Sequence, residues 1–177
     1  MRRFLDGLYA ASGALAAVCL ASIAAVMLAQ ALMRELGLLL RGADDIVAWL
    51  CAASAFLALG HTFRRGELVR VGLVIDLLRP RPRRAVALAA LGLTVVGVGY
   101  MVYAVVRFVY ESWKFEEVAQ GLILIPIWIP QSTFVAGAVI LFVAVLDEFI
   151  VLLRGGTPAY EAAEQDRRLR KDFSESL

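Results

Sequence analysis

The chain has 177 residues, of which 61% are hydrophobic and 19% are charged, and its mean hydropathy is +0.76. So little polar surface cannot cover a soluble globule of this size, and a formal net charge of +2 argues against a nucleic-acid partner. Composition therefore predicts an all-α integral membrane protein whose basic residues mark its topology.

The first apolar run predicts a membrane-spanning helix over about residues 8–33, longer than the roughly 20 residues that a bilayer requires. Its uncharged length also exceeds the roughly 7–15 residues of a signal-peptide h-region, so we expect a retained span. Small residues recur every four positions and predict a face on which a neighbouring helix packs closely: Gly13, Ala17, Ala21, Ala25 and Ala29. The alternative is a helix that is merely rich in alanine.

A short polar link leads into a second span, predicted over about residues 46–63. Asp44 and Asp45 stand just before it, where carboxylates cap free N–H groups and meet the positive end of the helix dipole. Contact with a partner subunit is the alternative for these two residues. Trp49 fits an interfacial anchor, and His61, the only histidine, fits an interfacial position better than a proton relay.

The stretch from Phe63 to Arg84 carries seven of the eighteen basic residues. Its middle predicts a short interfacial helix between spans two and three, ended by Pro80 and Pro82. Charged side chains here are candidate contacts with lipid headgroups or with a partner subunit: Glu67, Arg70, Asp76 and Arg79.

The third span is predicted over about residues 85–106. Arg107 lies at its boundary, and Glu111, one turn further on, is a ready ion-pair partner. The segment 110–131 mixes charged residues with an apolar run interrupted by Pro126, which predicts an interfacial approach to the next helix. A re-entrant element is the alternative, and Trp113 and Trp128 suit the depth of an interface.

The fourth span is predicted over about residues 132–153, and a polar cytoplasmic tail over 155–177. Asp147 and Glu148 lie in the inner third of this span, where each carboxylate needs water or a cation. We expect ion pairing near the cytoplasmic interface, with Arg154 or with arginines of the Phe63 to Arg84 stretch. An ion-coupling site is the alternative.

Basic residues are distributed unequally between the predicted sides of the membrane. Fourteen Lys and Arg fall in the N-terminus, the stretch after span two and the tail, against three in the other loops, with boundary Arg107 set aside. This asymmetry predicts four spans with both termini cytoplasmic. Cys19 and Cys51 are isolated in apolar runs, and no spacing predicts a catalytic, cofactor-binding or metal site.

Three sequence features together resemble a known family. They are ADDIVAWL at the entry to span two, Gly-Glu-x-x-Arg-Val from Gly66 to Val71, and P-x-W-x-P before span four. This pattern is similar to the small membrane subunit, of the DctQ type, of a tripartite ATP-independent periplasmic (TRAP) transporter. Leu68 and Gly72 depart from it, because such subunits often have His and Asp there.

The resemblance implies an accessory subunit in the bacterial inner membrane, and not an enzyme. Its implied partners are a large multi-span membrane subunit, a periplasmic solute-binding protein and membrane lipids. The large subunit of such a transporter carries a small organic acid by an elevator motion driven by an ion gradient, usually sodium, while the small subunit braces it. Two readings from other classes stay open: a self-sufficient homo-oligomeric exporter that uses Asp147 or Glu148 for coupling, and a membrane redox or lipid-modifying enzyme.

Overall fold

A computed structural model describes residues 2–65 and 80–156, with side chains for 5–65 and 84–156. It contains four helices: α1, Arg2–Glu35; α2, Ala43–Arg64; α3, Pro80–Lys114; and α4, Trp128–Leu153. Each is long and apolar enough to cross a membrane, as the sequence predicts. The predicted interfacial helix, with Glu67, Arg70, Asp76 and Arg79, and the tail after residue 156 lie outside the described residues.

The helices extend beyond the apolar runs from which the spans were predicted. α3 continues to Lys114, because polar residues that lie beyond the apolar run can still be helical. In this extension Arg107 Nε donates to Glu111 Oε1 at 2.9 Å across one turn, which confirms the predicted pair. α4 begins at Trp128, four residues before the predicted start. Pro130 does not prevent this, since the first turn of a helix needs no N–H from that residue.

The four helices stand in a row in the order α1, α2, α4, α3. α1 packs on α2, α2 on α4 and α4 on α3, while α1 touches α4 at only a few residues. Residue 2, Arg64, Pro80 and Leu153 lie at one end of the row, which we call the terminal end. The connections 36–42 and 115–127 lie at the other, which we call the loop end. α2 and α4 therefore run parallel, with α1 and α3 antiparallel to their neighbours.

The main apolar core lies towards the terminal end. It joins residues from all four helices: Tyr9, Phe63, Leu91, Leu141, Ala144, Val145 and Leu152. The inner two helices are the more buried, with 22% of the α2 span and 33% of the α4 span inside the protein, against 6% for each outer helix. Most apolar surface of α1 and α3 therefore faces outward, as expected where lipid is the solvent.

α2 and α4 approach each other closely where a glycine of α4 faces the backbone of α2. A Cβ added at Gly137 would stand 2.5 Å from the backbone carbonyl group of Phe56, so any larger residue would push the helices apart. Beside this contact the rings of Phe56 and Phe134 stack with centroids 5.0 Å apart. This α2–α4 seam holds the two halves of the row together.

The alanine stripe of α1 does not form the contact with α2. The residues that are buried against the rest of the chain are Tyr9, Ser12 and Ala16, which lie on the adjacent face. Ala17, Ala21, Ala25 and Ala29 are exposed, and Gly13 alone of the stripe meets α2, where a Cβ would lie 2.9 Å from the His61 ring. The stripe therefore remains available to lipid or to another chain.

Candidate functional site

An ionic junction at the terminal end connects α1, α2 and α4. It consists of Asp6, Tyr9, Arg64 and Asp147. Arg64 Nη2 lies 2.5 Å from Asp6 Oδ1, and its Nη1 lies 3.8 Å from Asp147 Oδ2. The guanidinium carbon also stands 4.9 Å from the centroid of the Tyr9 ring, within cation–π range. The Arg64 guanidinium of α2 thus pairs with one carboxylate from α1 and one from α4.

The ionic junction offsets the free-energy cost of placing the Asp147 carboxylate in an apolar span. The side chains of Arg64 and Asp147 are 20% and 26% exposed, whereas Asp6 is 54% exposed. A carboxylate at this depth costs several kcal/mol without a partner, and Arg64 supplies the compensating charge. The predicted pairing is therefore present, and its cation is Arg64, the first arginine of the stretch after span two.

His61 contributes to the same α1–α2 contact. Its Nδ1 lies 3.0 Å from the backbone oxygen of Tyr9, which can only accept, so this nitrogen is the protonated one in that hydrogen bond. The ring also covers Gly13, as the close approach at that glycine shows. A histidine held by a helix carbonyl and packed on a glycine has a structural explanation in the α1–α2 contact.

A second junction at the loop end joins the start of α2 to the α3–α4 connection. Asp45 Oδ2 accepts from the backbone N–H groups of Leu122, at 2.8 Å, and Ile123, at 3.4 Å. Gly121 makes this possible, because a Cβ there would collide with the Asp45 carboxylate. We call this contact, between Asp45 and residues 121–123, the loop junction.

The predicted capping role of the two aspartates is wrong in its side-chain geometry. The N-cap of α2 is Gly42, with φ at 82°, and no side chain caps the helix there. Asp44 and Asp45 lie in the first turn, where their charge still meets the positive end of the dipole. Asp44 Oδ1 instead accepts from Gln30 Nε2 of α1 at 3.2 Å. Both carboxylates therefore hold neighbouring segments in place.

The α3–α4 connection, 115–127, has a folded structure of its own. Val118 and Pro126 form an isolated antiparallel bridge. Ala119 N donates to Ile125 O at 2.9 Å, and Ile127 N donates to Glu117 O at 3.0 Å. This hairpin-like turn closes the end of the helix row between α3 and α4, and the interfacial and re-entrant predictions for the segment both stay predictions.

The remaining predicted contacts are dispersed. Trp49 is half-buried in α2, while Trp128 begins α4 and lines two cavities between α3 and α4. Cys19 is half-buried and Cys51 is exposed. Within 2–65 and 80–156, no group of three or more His, Cys, Asp or Glu side chains could hold a metal ion. Among the described residues, the candidate site consists of the two junctions and the exposed helix faces.

Sequence reasoning missed the ionic junction as a unit. Arg64 was predicted only as one of several arginines that could pair with Asp147, and Asp6 and Tyr9 received no role. The available signal was the presence of carboxylates near the terminal ends of two different apolar runs, since each requires a cation at the same depth.

The fold and its junctions define a multi-pass helical membrane protein that depends on helix packing. Comparison with protein families matches residues 23–155 to "Tripartite ATP-independent periplasmic transporters, DctQ component". The match covers more than half of the chain, and the chain belongs to this family: it is a small permease subunit of a TRAP transporter. Comparison with curated proteins gives no match.

Proposed function

We propose that this chain braces a large multi-span membrane subunit during ion-gradient-driven uptake of a small organic acid. A periplasmic binding protein delivers the solute, sodium is the coupling ion, and the chain lies in the bacterial inner membrane with both termini in the cytoplasm. Membership of the DctQ family is the observation that carries this proposal.

The helix arrangement supports a bracing role. The four described helices form a row with two broad faces, and a row does not surround a path for a solute. The outer helices leave most of their apolar surface free, including the exposed small residues Ala17 and Ala21 on α1. Small residues let helix backbones approach within membranes, so this face suits a helix of the large subunit.

The ionic junction supports the same reading. Arg64 links Asp6 of α1 and Asp147 of α4, so at least one carboxylate of span four is engaged in holding helices together. A coupling site must release and rebind its ion or proton during each cycle, whereas a carboxylate that fixes helix positions is best left paired. The junction therefore favours rigidity over exchange.

The self-sufficient exporter remains the second candidate, because Asp147 and Glu148 lie within a membrane span. Each reading gives a different result when both residues are neutralised. In the exporter the double variant Asp147→Asn/Glu148→Gln abolishes transport by a normally assembled protein. In the accessory subunit it weakens assembly or changes little.

The proposal is tested by reconstitution of the tagged chain alone, and together with the large subunit and the binding protein of its transporter. We expect the large subunit to co-purify with the tagged chain. We expect sodium-dependent uptake of organic acid only by the complete set. Uptake by this chain alone, in liposomes that lack the other two proteins, would contradict the proposal.

A further inference from the structure

A two-part cleft lies between α3 and α4 at the loop end of the row. Its inner part is a groove of about 520 Å³ between the facing helices, and its mouth is a cavity of about 630 Å³ beside the α3–α4 connection. Trp113 and Trp128 line both parts, so the groove opens directly into the mouth. The main core of the protein lies towards the opposite end, where α3 and α4 pack closely.

The groove is suited to an apolar chain. Val106, Val109, Val135 and Ala136 supply much of its wall, and Tyr110 and Ser132 carry the only hydroxyl groups among its lining residues. The Ser132 hydroxyl donates to the backbone oxygen of Ile129 at 2.6 Å, so it is already satisfied. Short side chains at Ser132 and Ala136 leave the space that forms the groove.

The length and position of the groove fit the end of a bilayer core. From Val106 to Trp113 the helix rises by about 10 Å, roughly a third of a hydrocarbon core of about 30 Å. The two tryptophans stand at the level of the mouth, and indole rings prefer the depth of the lipid headgroups. A lipid bound here would place its acyl chain in the groove and its headgroup in the mouth.

The mouth presents two opposite charges. Lys114 and Glu116 both line it. Glu116 occupies the position after the α3 helix at which the backbone turns left-handed, with φ at 50°, a conformation that glycine adopts more readily. The turn is closed by the bond from Glu117 N to Ser112 O at 3.0 Å, which fixes the backbone of Glu116 two residues after Lys114 at the rim of the mouth.

Charge, rather than apolar area, must select the occupant. Bulk lipid tails are as apolar as the groove, so an acyl chain alone gains little by entering it. An anionic headgroup would pair with Lys114 but face Glu116, and a choline ammonium carries no N–H to donate. A phosphate next to a primary ammonium complements both side chains, with charge-assisted hydrogen bonds at each.

We propose that this cleft binds one molecule of phosphatidylethanolamine. An acyl chain lies between α3 and α4, the phosphate pairs with Lys114 and the ammonium pairs with Glu116. The bound lipid fills the space that the helices leave at the loop end, and it is a stoichiometric component of the subunit.

Native mass spectrometry of the full-length protein, titrated with defined lipids after delipidation, tests this inference. We expect one phosphatidylethanolamine to remain bound, in preference to phosphatidylglycerol and phosphatidylcholine. Ala136→Phe fills the groove and should abolish this retention. Its control is Ala104→Phe, at an exposed alanine of α3 that does not line the groove.

A second pair of variants tests the mouth without altering the groove. Lys114→Gln should weaken retention by about tenfold, as expected for loss of one charge-assisted contact. Arg41→Gln removes an exposed cation from the other connection at the loop end and should leave retention unchanged.

Three results would overturn the inference. The first is equal retention by wild type and Ala136→Phe, each with a wild-type melting temperature. The second is gradual binding of many lipids without headgroup preference, which indicates annular lipid only. The third is a crosslink from Ala136→Cys to a helix of another chain in the assembled complex, because the groove would then be a protein contact.

Discussion

Arg64 is the residue on which the terminal end depends. It lies between carboxylates of α1 and α4 and above an aromatic ring of α1, so one side chain makes three contacts between helices. The Asp6 side of the junction is half exposed to the surroundings, and its contribution is correspondingly small. The Asp147 carboxylate is less accessible to solvent, so removal of the Arg64 guanidinium leaves its negative charge without a counter-ion.

We predict that Arg64→Gln destabilises the protein by about 1–3 kcal/mol, mainly because Asp147 keeps its charge and loses its counter-ion. The measurement is thermal unfolding in detergent, where this corresponds to a midpoint lower by roughly 3–10 °C for a chain of this size. The double variant Arg64→Gln/Asp147→Asn should recover part of the loss, since the isolated charge is then gone.

Arg41→Gln is the control for this prediction, because Arg41 is an exposed cation in the connection 36–42. A strictly additive double variant would show that Arg64 and Asp147 do not interact, and so would an Arg64→Gln midpoint equal to that of Arg41→Gln.

At the scale of the helices, stability depends on how closely α2 and α4 approach. Membrane helices gain little from apolar burial, since lipid is itself apolar, and close backbone packing supplies much of their association. Gly137 provides that approach, and the stacked pair Phe56 and Phe134 flanks it. α2 and α4 are the two inner helices of the row, and each packs on a neighbouring helix on both sides.

We predict that Gly137→Ala destabilises the protein although alanine is the better helix former. The added Cβ would stand 2.5 Å from the Phe56 backbone, and overpacking of this kind costs about 1–3 kcal/mol. Gly97→Ala is the matched control, because a Cβ at that α3 glycine meets nothing within 4 Å. That variant should be neutral or stabilising by up to about 1 kcal/mol.

Thermal unfolding of both glycine variants in the same detergent decides the matter. Equal midpoints for Gly137→Ala and Gly97→Ala would contradict a backbone contact between α2 and α4. A lower midpoint for Gly97→Ala alone would show that α3, and not α4, forms the tight seam.

The sequence predicted elements well and contacts poorly, for a physical reason. Hydropathy marks each span because apolar length is a local property, and the Arg107–Glu111 pair was visible because helix periodicity places the two residues together. The partner of Asp147 was not visible in the same way. It depends on the register of α2 against α4, which no spacing within either helix encodes.

The same limit explains why the face of α1 that meets α2 and the partners of Asp45 were not predicted. α1 has small residues on two adjacent faces, and only the packing of Tyr9 against His61 and Arg64 selects one of them. Asp45 looked like a cap because it precedes an apolar run. Its actual partners, Leu122 and Ile123, lie more than seventy positions away in the chain.

At the scale of the whole molecule, both ends of the described chain lie at the terminal end, and so do the ends of α2 and α3 that flank residues 66–79. Most of the basic residues belong to these segments. The positive-inside rule therefore predicts one orientation for the entire row, with the terminal end facing the cytoplasm and the loop end facing the periplasm. In that orientation the loop junction, the folded connection 115–127 and the cleft mouth are all periplasmic.

We predict that single cysteines report this orientation in a background from which Cys19 and Cys51 have been removed. Leu39→Cys, in the exposed connection 36–42, should react with a membrane-impermeant maleimide added to spheroplasts, while Pro82→Cys should react only after the membrane is permeabilised. Leu39 is the appropriate site because Gly42, at the same end, is buried and has φ at 82°, so a cysteine there would disturb α2. Labelling of Pro82→Cys in intact spheroplasts would contradict this orientation. It would show that the loop end, with the cleft and the loop junction at Asp45, lies on the cytoplasmic side.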